Sequence, residues 1–123
     1  MYTQYIIPVI VVLFLIFKFY RQRMALKKVP LLLKEGAVVV DVRTPAEFKQ
    51  HANPASVNIP LNEIKGRLQE LDKSKPIILC CASGARSGMA AGILKKNGFK
   101  TVFNAGRWTN TLVHSHSSAP ANS

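Results

Sequence analysis

Residues Ile77 to Asn97 read IILCCASGARSGMAAGILKKN. Pro76–Cys80 is an unbroken apolar run, which predicts a strand buried on both faces. Ser87–Asn97 has helical character, with Met89, Ala90, Ile93 and Leu94 facing inward and Gly98 at the position that ends a helix. Between the two lies a loop of small residues, Cys81-Ala82-Ser83-Gly84-Ala85-Arg86. A strand running through such a loop into a helix sets the unpaired N–H groups and partial positive charge of the helix start at the strand's end. Ala82, Ser83, Gly84 and Ala85 let successive N–H groups turn inward as an anion-binding nest. Gly84 supplies a positive φ or a close backbone approach. Arg86 presents a planar fork to an anionic group, which a lysine does less well.

Cys81 stands at the mouth of this nest. A helix start and a nearby arginine lower a cysteine pKa from about 8.5 into a range of roughly 3.5 to 7.5, and the thiolate is the nucleophile. Cys80 has a different expectation. Neighbours on a strand point to opposite sides, so Cys80 is read as a small buried hydrophobe. Ser87 is expected to cap the helix. Adjacent cysteines rarely bridge, and these are the two cysteines of the chain. That excludes a disulfide framework and fits a reducing compartment. No Cys-x-x-Cys pair is present, so no metal site is expected.

The pattern continues outward. Ala37–Asp41 (AVVVD) predicts a second buried strand, and Ser56–Ile59 a short third. Thr44, Pro45 and Glu47 spell a capping box for a short helix. Leu61, Ile64, Leu68 and Leu71 recur at helical spacing, predicting an amphipathic helix over Leu61–Leu71. Thr101–Phe103 is a last strand. Strands alternating with helices argue for an α/β domain with a small, mostly parallel sheet. Asp41 and Arg43 fall at the carboxyl end of a strand, where α/β sites form. They are read as an internal ion pair, with each other or with Glu47, that braces the loop. His51 is read as structural, near a helix end.

These residues resemble the rhodanese-like sulfurtransferases. The loop C-x-x-G-x-R-S is present as Cys81, Gly84, Arg86 and Ser87. The block Val38–Leu61 (VVVDVRTPAEFKQHANPASVNIPL) is similar to the family's pattern at Asp41, Arg43, Glu47, Phe48, His51, Asn58, Ile59 and Pro60, as are Gly98-Phe99 and Val102-Phe103-Asn104 downstream. The chain departs from the family where Gly106 is followed at once by Arg107 and Trp108, and where residues 21–29 show no first strand. The resemblance implies a persulfide on Cys81, formed from a small anionic sulfur donor such as thiosulfate and passed to a thiol or protein acceptor. It implies that the N–H groups of Ala82, Ser83, Gly84, Ala85 and Arg86 bind the substrate, that Asp41, Arg43 and Ser87 support the loop, and that no cofactor is needed. Two rivals remain. One is a non-catalytic or sulfur-relay binding module at a membrane. The other is a phosphatase or arsenate reductase on the same fold, whose loop carries one residue more than the four between Cys81 and Arg86.

The 123-residue chain carries 17 Lys and Arg against 6 Asp and Glu, a formal charge of +11. Nucleic acid, an anionic membrane and small anions compete for that charge. No basic run interleaved with aromatics is present, so nucleic acid is not an expected partner. Lys18, near the end of an apolar stretch Tyr2–Tyr20, and Arg21, Arg23, Lys27 and Lys28, just after it, instead mark one end of a segment about the length a bilayer core requires. Tyr2, Tyr5 and Tyr20 suit its two interfaces. Positive charge after the apolar run, with no small-residue cleavage site, argues for an uncleaved anchor. The expected organisation is a transmembrane helix at 1–20, a basic linker at 21–29, a rhodanese-like domain at 30–112 opening with a short helix over Pro30–Lys34, and a disordered tail at 113–123. His114 and His116 in that tail are read as solvated. The positive-inside rule predicts a single pass through the inner (cytoplasmic) membrane, N-terminus out, with the catalytic domain in the cytoplasm.

Overall fold

The computed structural model describes residues 1–112. The tail at 113–123, with His114 and His116, lies outside them. Four strands, β1 (Val38–Asp41), β2 (Val57–Asn58), β3 (Ile77–Cys81) and β4 (Val102–Arg107), form one all-parallel sheet in the order β2-β1-β3-β4. The β-branched and apolar runs of β1 and β3 occupy its centre, as residues buried on both faces should.

Alternation along β3 divides the core in two. Ile77, Leu79 and Cys81 join Val40, Val42, Ile59, Ile64 and Leu94 on one face. Ile78 and Cys80 join Val29, Leu32, Val39 and Ala105 on the other. The first face is covered by α3 (Leu61–Ile64) and α4 (Ala85–Lys96). The second is covered by α1 (Thr3–Lys34) and a short 3-10 turn, Trp108–Thr111. The two cysteines therefore stand in different cores, as the strand pattern implied.

The N-terminal region differs from expectation. Residues 21–29 are not a linker, and Pro30 does not begin a helix. One continuous 32-residue helix, α1, runs through both Pro8 and Pro30. Arg, Gln, Met, Ala, Leu and Lys in this stretch are all good helix formers. Gln22, Ala25, Val29 and Leu32 recur at three- and four-residue spacing, so they share one face; Ala25, Val29 and Leu32 are buried and Gln22 partly so. Pro30 has no N–H to offer the Leu26 carbonyl, and the helix continues past it for about one further turn to Lys34. The apolar N-terminal portion of α1 is long and apolar enough to cross a membrane, and none of it is buried in the domain.

Two helix readings change. The Leu61–Leu71 helix is a single α-turn, α3, followed by a 3-10 segment, Lys65–Glu70, with a kink at Arg67. Arg67 is held there by ion pairs to Glu63 and Glu70, while Leu68 and Leu71 pack only at the core's margin. On α4, Met89 faces solvent at 64% exposure; Ala90, Ala91 and Leu94 are the buried apolar positions. The end of α4 follows expectation. Gly98 has φ +89, and the N–H groups of Gly98 and Phe99 donate to Lys95 and Leu94 carbonyls, a Schellman closure.

Because α1 supplies two of the six buried residues of the second core, Val29 and Leu32, its C-terminal part belongs to the folded unit. Replacing Leu32, 4% exposed, with alanine is expected to cost about 2–5 kcal/mol. Denaturant unfolding of the detergent-solubilised chain, followed by Trp108 fluorescence, measures it. Leu31→Ala, on the exposed side of the same turn, should change stability by under about 0.5 kcal/mol.

Candidate active site

The site is assembled at the carboxyl end of β3. Cys81 is the last residue of that strand, and α4 begins four residues later at Ala85. Gly84 occupies the N-cap with φ +106, a left-handed conformation that side chains resist. A Cβ there would also stand 3.2 Å from the Gly106 Cα. Glycine is therefore required twice over, by the turn and by the backbone packed against it. This corrects the reading of Ser87 as the helix cap. Ser87 is buried as the third residue of α4, facing the cysteine.

The Cys81 Sγ accepts hydrogen bonds from the Gly84 N–H at 2.9 Å and the Ser87 N–H at 3.4 Å, and lies 3.3 Å from the Ser87 Oγ. The Ser87 hydroxyl has a single proton. It also reaches the Asn104 Oδ1 at 2.6 Å, while the Asn104 amide donates to the Gly84 carbonyl at 3.0 Å and accepts from the Gly106 N–H at 2.9 Å. With a neutral thiol, the hydroxyl proton points to Asn104 and the S–H points to Ser87. With a thiolate, the hydroxyl turns to the sulfur. Both states are served by one rotor. Burial pushes the Cys81 thiol up, but the Ser87 hydroxyl and the N–H groups of Ser87, Ser83 and Gly84 outweigh it, and its pKa is lowered. Cys80, one residue away, is driven the other way by burial and by the nearby Asp41 carboxylate. Of the two thiols, Cys81 is the one prepared to ionise.

The supporting residues form a chain of contacts behind the loop. Asp41 and Arg43 are a buried pair, with Nη2 to Oδ2 at 2.7 Å. The same Nη2 donates to the His51 carbonyl at 2.7 Å, so Arg43 ties β1 to the end of α2 (Pro45–Gln50). Its guanidinium also lies over the Trp108 ring, 5.1 Å from the centroid. Thr44 and Glu47 complete the expected capping box at the start of α2. His51 contributes its backbone carbonyl, with its imidazole on the surface.

Arg86 is engaged where an open anion fork was expected. Its two terminal nitrogens donate to the two Glu47 carboxylate oxygens at 2.8 and 3.1 Å. The Arg86 fork, then the Thr44 capping contacts, hold the Glu47 carboxyl down at about 2. The pair is thus intact throughout the neutral range and is lost only in strong acid. Two residues not named as site residues at the level of sequence matter here: Glu47, read as a cap and as a possible partner of the Asp41–Arg43 pair but found on Arg86, and Asn104. The signal for Glu47 lies 39 positions from its partner, and that for Asn104 is the short run Val102-Phe103-Asn104. Ala82, Ser83 and Ala85 form the exposed rim of the loop. Among the described residues, no cluster of metal-ligating side chains occurs.

A cysteine cradled by backbone N–H groups, at the end of a parallel strand and flanked by arginine, matches one family. The rhodanese-like domain profile fits residues 25–106. The chain belongs to the rhodanese-like family. It is similar to a sulfurtransferase of Allochromatium vinosum, with 37% identity over 70 residues, covering 57% of this chain and 65% of that one. It is also similar to the thiosulfate sulfurtransferase GlpE of Pseudomonas syringae, with 38% identity over 72 residues, covering 58% and 68%. The solved structure of an E. coli rhodanese with anions superposes with a TM-score of 0.55 at 35% identity, covering 60% of this chain and 89% of that one. Across its curated relatives the chain spans 38% to 68% of their length. The profile begins at residue 25, within α1, in agreement with the burial of Ala25, Val29 and Leu32.

The cradle makes a direct prediction. In a Cys80→Ser background, ultraviolet titration of thiolate absorbance is expected to show Cys81 ionising below the ordinary thiol range. Ser87→Ala, which removes a donor to the thiolate, should move that step upward. The reciprocal Cys81→Ser chain should show no thiolate forming near neutral pH.

Proposed function

We propose that this chain is a membrane-anchored sulfurtransferase that moves sulfane sulfur from thiosulfate, or a similar small anionic donor, to a thiol or protein acceptor through a persulfide on Cys81. The observation that carries this reading is the Cys81 sulfur held by loop N–H groups in a chain of the rhodanese-like family. The Cys81 thiolate attacks the outer sulfur of thiosulfate. A new S–S bond forms, the old one breaks, and sulfite leaves with its electron pair. The total charge is the same on both sides. The N–H groups of Ala82, Ser83, Gly84, Ala85 and Arg86 then face the terminal sulfur and stabilise its charge; preorganised donors of this kind are commonly the largest catalytic contribution. Cys81 has no exposed surface, so the small rim residues Ala82, Ser83 and Ala85 must give way to admit the donor.

α1 supports an anchor through the inner membrane, with the N-terminus outside and the domain in the cytoplasm. Positive residues cluster just after the apolar stretch, on the side expected to be cytoplasmic. A free thiol persists in that compartment. The loop length, with four residues between Cys81 and Arg86, favours sulfur over the larger phosphate or arsenate.

Incubation of the purified full chain with thiosulfate is expected to add one sulfur atom to its intact mass. Cys80→Ser should accept the sulfur and Cys81→Ser should not; the reverse pattern, or no added mass, would sink the reading.

The Glu47–Arg86 pair generates a second test. Glu47 answers much of the Arg86 charge, so Glu47→Gln leaves that charge for the donor. The KM for thiosulfate is expected to fall about two- to fivefold, the scale of one partly screened charge interaction, and the benefit should shrink as salt is raised.

A further inference from the structure

The proposed anchor and the catalytic loop meet at one end of the molecule. α1 runs antiparallel to the strands. It ends at Lys34, and the Ala37 N–H at the entry to β1 donates to the Leu32 carbonyl. Moving back along α1, Leu32 and Val29 lie on the sheet. Gln22 exchanges two hydrogen bonds with Asn110, at 2.7 and 3.1 Å. Beyond Gln22 the helix leaves the domain at the carboxyl edge of the sheet, which is the edge that carries Cys81. Tyr20, the expected interfacial residue, is only about 3 Å of helix rise from Gln22. An anchor through residues 2–20 therefore holds the loop at headgroup level and turned toward the bilayer.

A groove of about 640 Å³ separates the two parts. One wall is the α1 surface carrying Phe14, Phe17, Lys18 and Arg21; the other is the loop from Ala82 to Ala85, with Arg107 at the end of β4. Its size is that of a small-molecule site. Lys18 lies over the Phe14 ring at 5.7 Å and Arg21 over the Phe17 ring at 5.5 Å. The wall is thus aromatic and cationic together. Lys18, Arg21 and Arg107 have no carboxylate partner among the described residues. Gly84, which lines the groove, is the residue whose N–H reaches the Cys81 Sγ at 2.9 Å. A small hydrated donor such as thiosulfate has no use for the aromatic wall.

We propose that the groove receives the sulfur acceptor, and that this acceptor is an amphiphilic thiol supplied from the bilayer. Its apolar chain lies along Phe14 and Phe17, and Lys18, Arg21 and Arg107 favour ionisation of its thiol at the loop, so that it attacks as the thiolate. The acceptor sulfur attacks the terminal sulfur of the Cys81 persulfide. A bond forms between those two sulfurs, and the bond to the Cys81 Sγ breaks with its electron pair remaining on Cys81. The proton shed by the acceptor thiol ends on the new persulfide, and Cys81 returns as the thiolate. This proposal rests on the sulfurtransferase and anchor readings above.

The test uses the full chain in phosphatidylcholine vesicles, loaded with thiosulfate and freed of excess. Loss of the added sulfur mass is followed with decanethiol in the bilayer or mercaptoethanol in the water. Phe14→Ala/Phe17→Ala is expected to slow transfer to decanethiol about tenfold, the scale of partial loss of apolar contact with the two rings. Sulfur loading, vesicle flotation and transfer to mercaptoethanol should be unchanged. In the wild-type chain, unreactive decanol should compete with decanethiol and leave mercaptoethanol transfer alone, a readout that needs no variant. Equal effects on both thiols, or none on either, overturn the proposal. Absent loading overturns the sulfurtransferase reading, and absent flotation the anchor reading; either also removes the proposal, and each is seen separately.

Discussion

The buried pair between Asp41 and Arg43 is the interaction on which the rest of the site depends. Two charges removed from water are tolerable only when each is fully answered. Here Asp41 accepts from the Arg43 backbone and side chain, and Arg43 also reaches the carbonyls of Glu47 and His51. Satisfying one arginine thereby fixes the end of β1, the C-terminal turn of α2 and the position of Trp108. α2 in turn delivers Glu47 to Arg86, and Arg86 closes the loop around Cys81. A line of polar contacts thus runs from the sheet centre to the loop without passing through the apolar cores.

The loop is built by the same logic at smaller scale. Gly84 lets the chain turn so that N–H groups point at sulfur, and Asn104 on β4 fastens that turn from the opposite side. Asn104 stands beside a register shift in the β3–β4 pairing, where Leu79 faces Asn104 but Cys80 already faces Gly106. The extra residue, Ala105, turns its side chain into the second core. Bulges of this kind re-aim neighbouring side chains. Here the bulge is accompanied by an Asn104 that faces Ser87 and by a Gly106 free to approach Gly84.

Much of this was legible in the amino-acid order, because the signals are local. The loop, the buried strands, the opposite facing of Cys80 and Cys81, and the Thr44–Glu47 box each rest on residues within a few positions of one another. The failures have a common cause as well. The stripe of Gln22, Ala25, Val29 and Leu32 is four residues wide among five Lys and Arg in the 21–34 stretch and a proline, so its helical period was masked. The kink at Arg67 depends on ion pairs formed around it, and the exposure of Met89 on how far α4 is rotated against the sheet. Glu47 meeting Arg86 and Asn104 meeting Ser87 are tertiary facts, which no local period encodes.

The placement of the two cysteines on opposite faces of β3 has a consequence for damage. A cysteine prepared to be a thiolate is also the one most open to oxidation to a sulfenic acid. Many such sites are rescued by a second cysteine in the same chain. Cys80, although adjacent, points into the other core, and the strand would have to turn over for the two sulfurs to meet. The chain has no third cysteine. Among the described residues, an oxidised Cys81 therefore has no second thiol within reach to resolve it.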